Sequence, residues 1–178
     1  MFVPGTSVEQ AQTVLLQDDV YMSFLQRVCG ELAAKPHQCW PRYASVCAGA
    51  LLLANTGIFK GKQVTTHWAM RGALANLQGV TLAPDYPRYV HDQDVLTGGG
   101  IASGIDEALY LVSSLSSVDE ACKAQLIMQY APAPPFHCGN PDQAEQSGYL
   151  DMVNGMLSAD QASVDTIQSI LQGRYGSA

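Results

Sequence analysis

Tyr43-Ala44-Ser45-Val46-Cys47-Ala48-Gly49-Ala50-Leu51-Leu52-Leu53 is the stretch from which the fold is read. A short β-prone run stops at one cysteine, small residues follow at once, and an apolar helical pattern begins. This is the grammar of a nucleophile elbow, a sharp strand-to-helix turn that lifts one side chain to the carboxyl edge of a sheet while small neighbours make the turn possible. Cys47 is the raised side chain. The plainer reading is packing, because cysteine is among the most buried residue types. The positive end of a helix beginning at Ala48 is expected to lower the pKa of the thiol. The amide of Ala48, with one from Gly5-Thr6, makes a candidate anion hole beside the sulfur.

Upstream, Phe2-Val3-Pro4-Gly5-Thr6 reads as the tail of a buried strand running into a turn. Val20, Phe24, Leu25, Val28 and Leu32 share one helical face that Asp18 or Asp19 caps and Pro36 stops, and a polar loop over Lys35 to Pro41 follows. Downstream, the helix after Cys47 is expected to end near Gly57. Gln63-Val64-Thr65-Thr66 reads as a strand ending at His67-Trp68, followed by a helix to about Leu77 and short strands near Val80 to Leu82 and Arg88 to His91. A tight turn at Asp92-Gln93-Asp94 leads into Val95-Leu96-Thr97, and Gly98-Gly99-Gly100 opens a second strand-to-helix turn. The helix from about Ser103 to Leu115 is expected to bury Ile105, Ala108, Leu109 and Val112, and the next opens on a capping box, Ser117 to Glu120. Tyr130 to Phe136 is a stiff, proline-rich extended loop, and the polar remainder predicts one helix around Ala159 to Leu171. Alternating strands and helices imply a mostly parallel sheet covered on both faces, with ligands at the carboxyl ends of its strands. Cys47, His67, the triple glycine and Gly5 all fall at such ends.

Length and composition bound the function. A chain of 178 residues, 47% hydrophobic, suits one domain over residues 1–178. Sixteen acidic against nine basic residues give a net charge of −7. With no basic run, a nucleic-acid backbone or an anionic membrane is disfavoured and a small neutral molecule fits better. The longest apolar run, about Ala48 to Ala54, is far short of a bilayer span, and no basic residue precedes an apolar N-terminal stretch, so a cytoplasmic protein is expected. Five cysteines without a C-x-x-C pair argue for reduced thiols, and four histidines without H-x-x-x-H spacing argue against zinc; no metal is expected. Val95-Leu96-Thr97-Gly98-x-Gly100 is a near miss to the dinucleotide fingerprint. Ser103 holds the third glycine position and the required strand and ribose-binding acid do not follow, so no cofactor is expected. The glycines instead allow close packing of helix and sheet beside a pocket.

His67 is the histidine nominated as a base or polarising donor, against the plainer reading of a ring that orients the pocket wall or bonds to the backbone. Asp106, in the first turn of its helix, most simply favours the helix dipole. His37, His91 and His137 read as surface residues, and Cys29, Cys39, Cys122 and Cys138 as packing or bystander thiols.

Four segments carry a resemblance: Val46 to Leu53, Thr65-Thr66-His67-Trp68-Ala69, Leu96 to Asp106 with its triple glycine, and Tyr130-Ala131-Pro132-Ala133-Pro134-Pro135-Phe136. In order and spacing they resemble the isonitrile hydratase family of the ThiJ/PfpI superfamily, over Phe2 to about Pro141; the tail, 142–178, matches poorly. The resemblance implies a flavodoxin-like three-layer α/β sandwich, class I glutamine amidotransferase-like, and a homodimer. It also implies water addition to an isocyanide, giving an N-substituted formamide, with Cys47 at the centre of a pocket lined by Trp68, Gly98, Gly99 and Gly100. Protease-like relatives carry a histidine where this chain has Ala48, which speaks against peptidase chemistry. Isonitrile hydratases usually have threonine there, and Pro-Gly-Gly where this chain has Pro4-Gly5-Thr6. They also begin with a strand, a helix and a strand, about 30 to 50 residues, that hold an acidic site residue, so an N-terminally truncated chain is expected. Two alternatives are a non-catalytic small-molecule-binding or sensor domain, and other cysteine chemistry on small electrophiles.

Overall fold

A computed structural model describes residues 1–36, 40–145 and 147–178. His37 and Cys39 lie outside the described residues. The strand predicted before the cysteine forms as β2, Tyr43–Val46, and organises its neighbours. β1, Phe2–Val3, and β6, Val95–Gly98, flank it in parallel, and β5, Tyr89–Asp92, closes the far side antiparallel to β6. The order β1-β2-β6-β5 is a mostly parallel sheet with one antiparallel edge. The β5–β6 hairpin turns at the predicted Asp92-Gln93-Asp94, where Gln93 takes a φ of 57°.

Register separates the two faces, since side chains alternate along a strand. Val3, Ser45 and Thr97 share one row, and Tyr43 and Val95 lie on the same face, where the Tyr43 hydroxyl donates to the Cys29 carbonyl at 2.9 Å. That face carries the main core: Leu25, Leu51, Leu53, Leu74, Ile167 and Leu171 are fully buried. At ~1.5–3 kcal/mol for each large side chain removed from water, this cluster dominates the stability of the fold. The opposite face presents Val46 and Gly98 to α5, Ser103–Leu115.

The helices explain several departures from the sequence reading. α1, Val8–Gln17, was not anticipated; Ser7 caps it by accepting from the Gln10 amide. α2, Asp19–Ala33, takes Asp18 as its cap, but it buries Met22, Leu25 and Cys29, leaving Val20 83% exposed. α5 has the expected bounds and turns Ser103 and Glu107 inward, with Ile105 exposed. Both errors have one cause: an apolar stripe two residues wide can be rotated by its neighbours, and only packing fixes which edge goes in. The helix expected from Trp68 to Leu77 is a 3-10 turn at Trp68–Met70 followed by α4, Arg71–Leu74. β3, Lys62–Val64, and β4, Val80–Leu82, pair with each other in parallel, apart from the main sheet. After α6, Val118–Ile127, the tail holds α7, Pro141–Glu145, α8, Tyr149–Met156, and α9, Ser158–Tyr175, where one helix was expected. No helix among the described residues is long and apolar enough to cross a membrane.

Candidate functional site

Cys47 sits between β2 and α3, Gly49–Ala54, with a φ of 56°. A left-handed backbone costs a non-glycine residue ~1–2 kcal/mol, and it persists only where the surroundings over-determine it. They do so here. The Cys47 amide donates to the Gly98 carbonyl at 3.1 Å, and the Cys47 carbonyl accepts from the Ala50 amide at 3.1 Å and the Thr66 hydroxyl at 2.8 Å. Gly49 makes the turn sterically possible: a Cβ there would lie 2.4 Å from the Val3 carbonyl oxygen. Gly5 lies beside the thiol, its own missing Cβ 3.0 Å from the Cys47 Cβ and 3.7 Å from Sγ. Thr6 turns its hydroxyl to the Gln10 side chain on α1.

Cys47 is 6% exposed. Burial pushes its pKa up from the ordinary cysteine value, and the hydrogen bond from the Ala48 amide opposes this without reversing it. The expectation of a lowered pKa is therefore corrected: withdrawal from water outweighs the helix end, and Cys47 rests as the thiol.

Beside this turn lies a cavity of about 220 Å³ at the ends of β5 and β6. His67, Trp68, Gly99 and Gly100 line it, as do Thr66, Arg88 and Asn140; Cys47, Gly5, Ala48 and Gly98 are not in its wall. Gly98 is covered instead by Glu107, and Thr66 is the link, lining the cavity and holding the Cys47 carbonyl. β3 ends at Val64, before His67, and Thr65 ties the connection to β6 by donating its amide to the Thr97 hydroxyl at 2.8 Å. His67 caps the 3-10 turn, with Nδ1 accepting from the Ala69 amide at 3.3 Å. Burial lowers its pKa, so the ring is neutral with its proton on Nε2. That edge of the ring borders Gly100, where a Cβ would stand 3.9 Å from Nε2.

Arg88 is the residue that sequence reasoning missed. It pairs with Asp106, donates to the Ala102 carbonyl at 2.7 Å, and reaches the Tyr130 hydroxyl, which itself donates to Asp106 at 2.8 Å. Asp106 is thus more than a helix-dipole partner: it joins the end of β5, the glycine turn and the proline-rich loop. Nothing around Arg88 in sequence marks it, because its partners are 14 to 42 residues away. His91 is also corrected from surface to half-buried, with Nδ1 2.6 Å from the Tyr110 hydroxyl and Nε2 2.7 Å from the Gln93 carbonyl. Among the described residues no group of three or more His, Cys, Asp or Glu side chains is placed to hold a metal ion.

A family model described as the DJ-1/PfpI family matches residues 26–114, half of the chain, including the cysteine turn, His67 and the glycine turn. The chain belongs to the DJ-1/PfpI family. One relative, an isonitrile hydratase of Pseudomonas putida, is 40% identical over 131 residues, covering 73% of this chain and 52% of the relative. A ThiJ/PfpI family protein of Pseudomonas syringae superposes with a TM-score of 0.77 at 28% identity, over 94% of this chain and 63% of that one. DJ-1beta of Drosophila melanogaster shares the fold, at a TM-score of 0.54 and 18% identity over 68% of this chain and 59% of its own. The chain spans about half the length of the curated relative it matches. With these DJ-1/PfpI neighbours, the mostly parallel sheet flanked by helices is flavodoxin-like.

Proposed function

We propose that this chain adds water to the carbon of an isocyanide, as an isonitrile hydratase does, with Cys47 as the nucleophile of a nucleophile elbow. The observation that carries the reading is the left-handed backbone at Cys47, which sets its sulfur beside Gly5 and the Ala48 amide. The 40% identity to the Pseudomonas putida enzyme supports this reaction class.

The chemistry balances with the thiol as the resting form. The sulfur bonds to the terminal isocyanide carbon while that carbon gains the thiol's proton, giving a thioimidate on Cys47. Water then adds to the same carbon, the carbon–sulfur bond breaks, and the thiol regains a proton as the N-substituted formamide leaves. The Ala48 amide and the Gly5-Thr6 turn stabilise the sulfur when it carries charge. His67, neutral and with Nε2–H toward the cavity, orients the water or the substrate nitrogen; Trp68, Gly99 and Gly100 shape the space. The substrate is small and neutral, the assembly a homodimer, and the compartment the cytoplasm.

Incubating the purified protein with a simple alkyl isocyanide yields the formamide, and Cys47→Ala reduces the rate by on the order of a thousandfold or more. Equal rates in both proteins, or none in either, refute the reading. A second reading, binding without turnover, is favoured by one observation: Cys47 does not line the cavity. Isocyanide that raises the melting temperature of both proteins equally, without product, selects it.

A further inference from the structure

Among the described residues Glu107 is the one fully buried carboxylate, and the proposed reaction does not use it. It projects from α5 onto the end of β6, where a Cβ on Gly98 would fall 1.3 Å from its Oε1; the absence of a side chain at Gly98 is what makes room for the carboxyl group. Oε2 has no hydrogen-bond partner. Oε1 has one neighbour, the Ser103 hydroxyl, at 3.3 Å. That hydroxyl also lies 2.6 Å from the Gly100 carbonyl. A hydroxyl has a single proton, and a carbonyl cannot donate, so the short contact takes it. Ser103 then faces Glu107 with lone pairs only. An ionised carboxylate there would set lone pair against lone pair at a fully buried position, whereas a protonated one donates to Ser103 and completes a chain from Glu107 through Ser103 to Gly100.

We propose that Glu107 is held as the neutral acid and, through Ser103, is a positioning residue for the Gly99-Gly100 turn that walls the cavity. The titratable groups on α5 and on the elements packed against it fit this state. Asp106, beside it on α5 and paired with Arg88, adds negative charge; Tyr89 and His91 of β5 both contact Tyr110; and Asp119, Glu120, Cys122 and Lys123 of α6 are exposed. Cys47, beyond the end of β2, rests as the thiol. Burial, reinforced by Asp106 and opposed by Ser103, pushes the Glu107 pKa up to about 8. The proposal goes beyond the hydratase reading and stands whether or not the cavity turns over a substrate.

Two measurements test it. Wild-type protein at pH about 6.5, where solvated carboxyl groups are ionised, shows the infrared band of a protonated carboxyl group, and the band disappears near pH 8 to 9. Its absence at pH 6.5 overturns the proposal without any variant having to fold. In Glu107→Gln, a neutral isostere, the band is gone and the melting temperature loses one component of pH dependence. An unfolded glutamate ionises near 4.5 and the folded one near 8, so folding takes up a proton between those values and wild-type stability falls as pH rises through them. The melting temperature of Glu107→Gln relative to wild type therefore climbs from pH about 5 to about 8 and then levels; a constant difference overturns the proposal. Ser103→Ala, which cuts the relay and keeps the carboxyl group, retains the infrared band while altering the backbone amide resonances of Gly99 and Gly100. Unchanged resonances sink the positioning role.

Discussion

At Cys47 a single dihedral angle is the observation behind the proposed nucleophile. A buried cysteine that only filled space would take ordinary strand or helix angles; this one holds a φ of 56° against a cost that a glycine would not incur. Cys47→Gly is therefore expected to be about 1 kcal/mol more stable than Cys47→Ala, the reverse of the usual order, as measured by urea denaturation. A result with alanine equal or better would show that the turn relaxes. The cysteine and its small neighbours were legible in the sequence because a tight turn excludes large side chains locally. The protonation state was not legible, because it depends on burial by residues far along the chain. Glu107 escaped notice for the same reason: a glutamate in an amphipathic helix reads as solvent-facing until Gly98 is seen beneath it.

At the scale of elements, local chemistry marked the ends of helices better than their faces. Asp18 and Ser117 cap α2 and α6 as their residue types require, each accepting a backbone amide from the first turn. The buried edge of α2 was misjudged, because Val20 and Phe24 share a broad apolar arc with Leu25 and the sheet selects the side bearing Met22 and Cys29. The correction is testable. Met22→Ala is expected to cost ~2–5 kcal/mol, whereas Val20→Lys should stay within ~0.5 kcal/mol of wild type in chemical denaturation. The opposite order would restore the original face. α1 went unseen because its polar composition offers little periodicity, and it forms largely by packing against α9 and α3.

Across the whole molecule, α9 anchors the end of the helix that follows the cysteine turn. α9 packs on α1 and α4, and its last residue, Tyr175, donates its hydroxyl to the Ala54 carbonyl at the end of α3 at 2.7 Å while accepting from the Phe59 amide at 3.3 Å. Tyr175→Phe leaves the buried Phe59 amide unpaired and the Ala54 carbonyl with the Gly57 amide alone, and is expected to cost ~1–3 kcal/mol. Burial pushes the tyrosine pKa up to about 12, so this anchor does not titrate below pH 10; a Tyr175→Phe penalty that vanished between pH 7 and 10 would contradict the assignment. No motif announced this contact, which joins residues 121 apart.

By itself the sequence determined the β2 strand, the glycine-permitted turns at Cys47 and Gly98, the caps and the family pattern, since each follows from conformational preferences within a few residues. Tertiary structure alone decided which helix faces are buried, that β3 and β4 leave the main sheet, and that Arg88, Asp106 and Tyr130 meet. It also decided that the Cys47 thiol keeps its proton. Those outcomes depend on contacts between distant segments and on exclusion of water, neither of which a local pattern encodes.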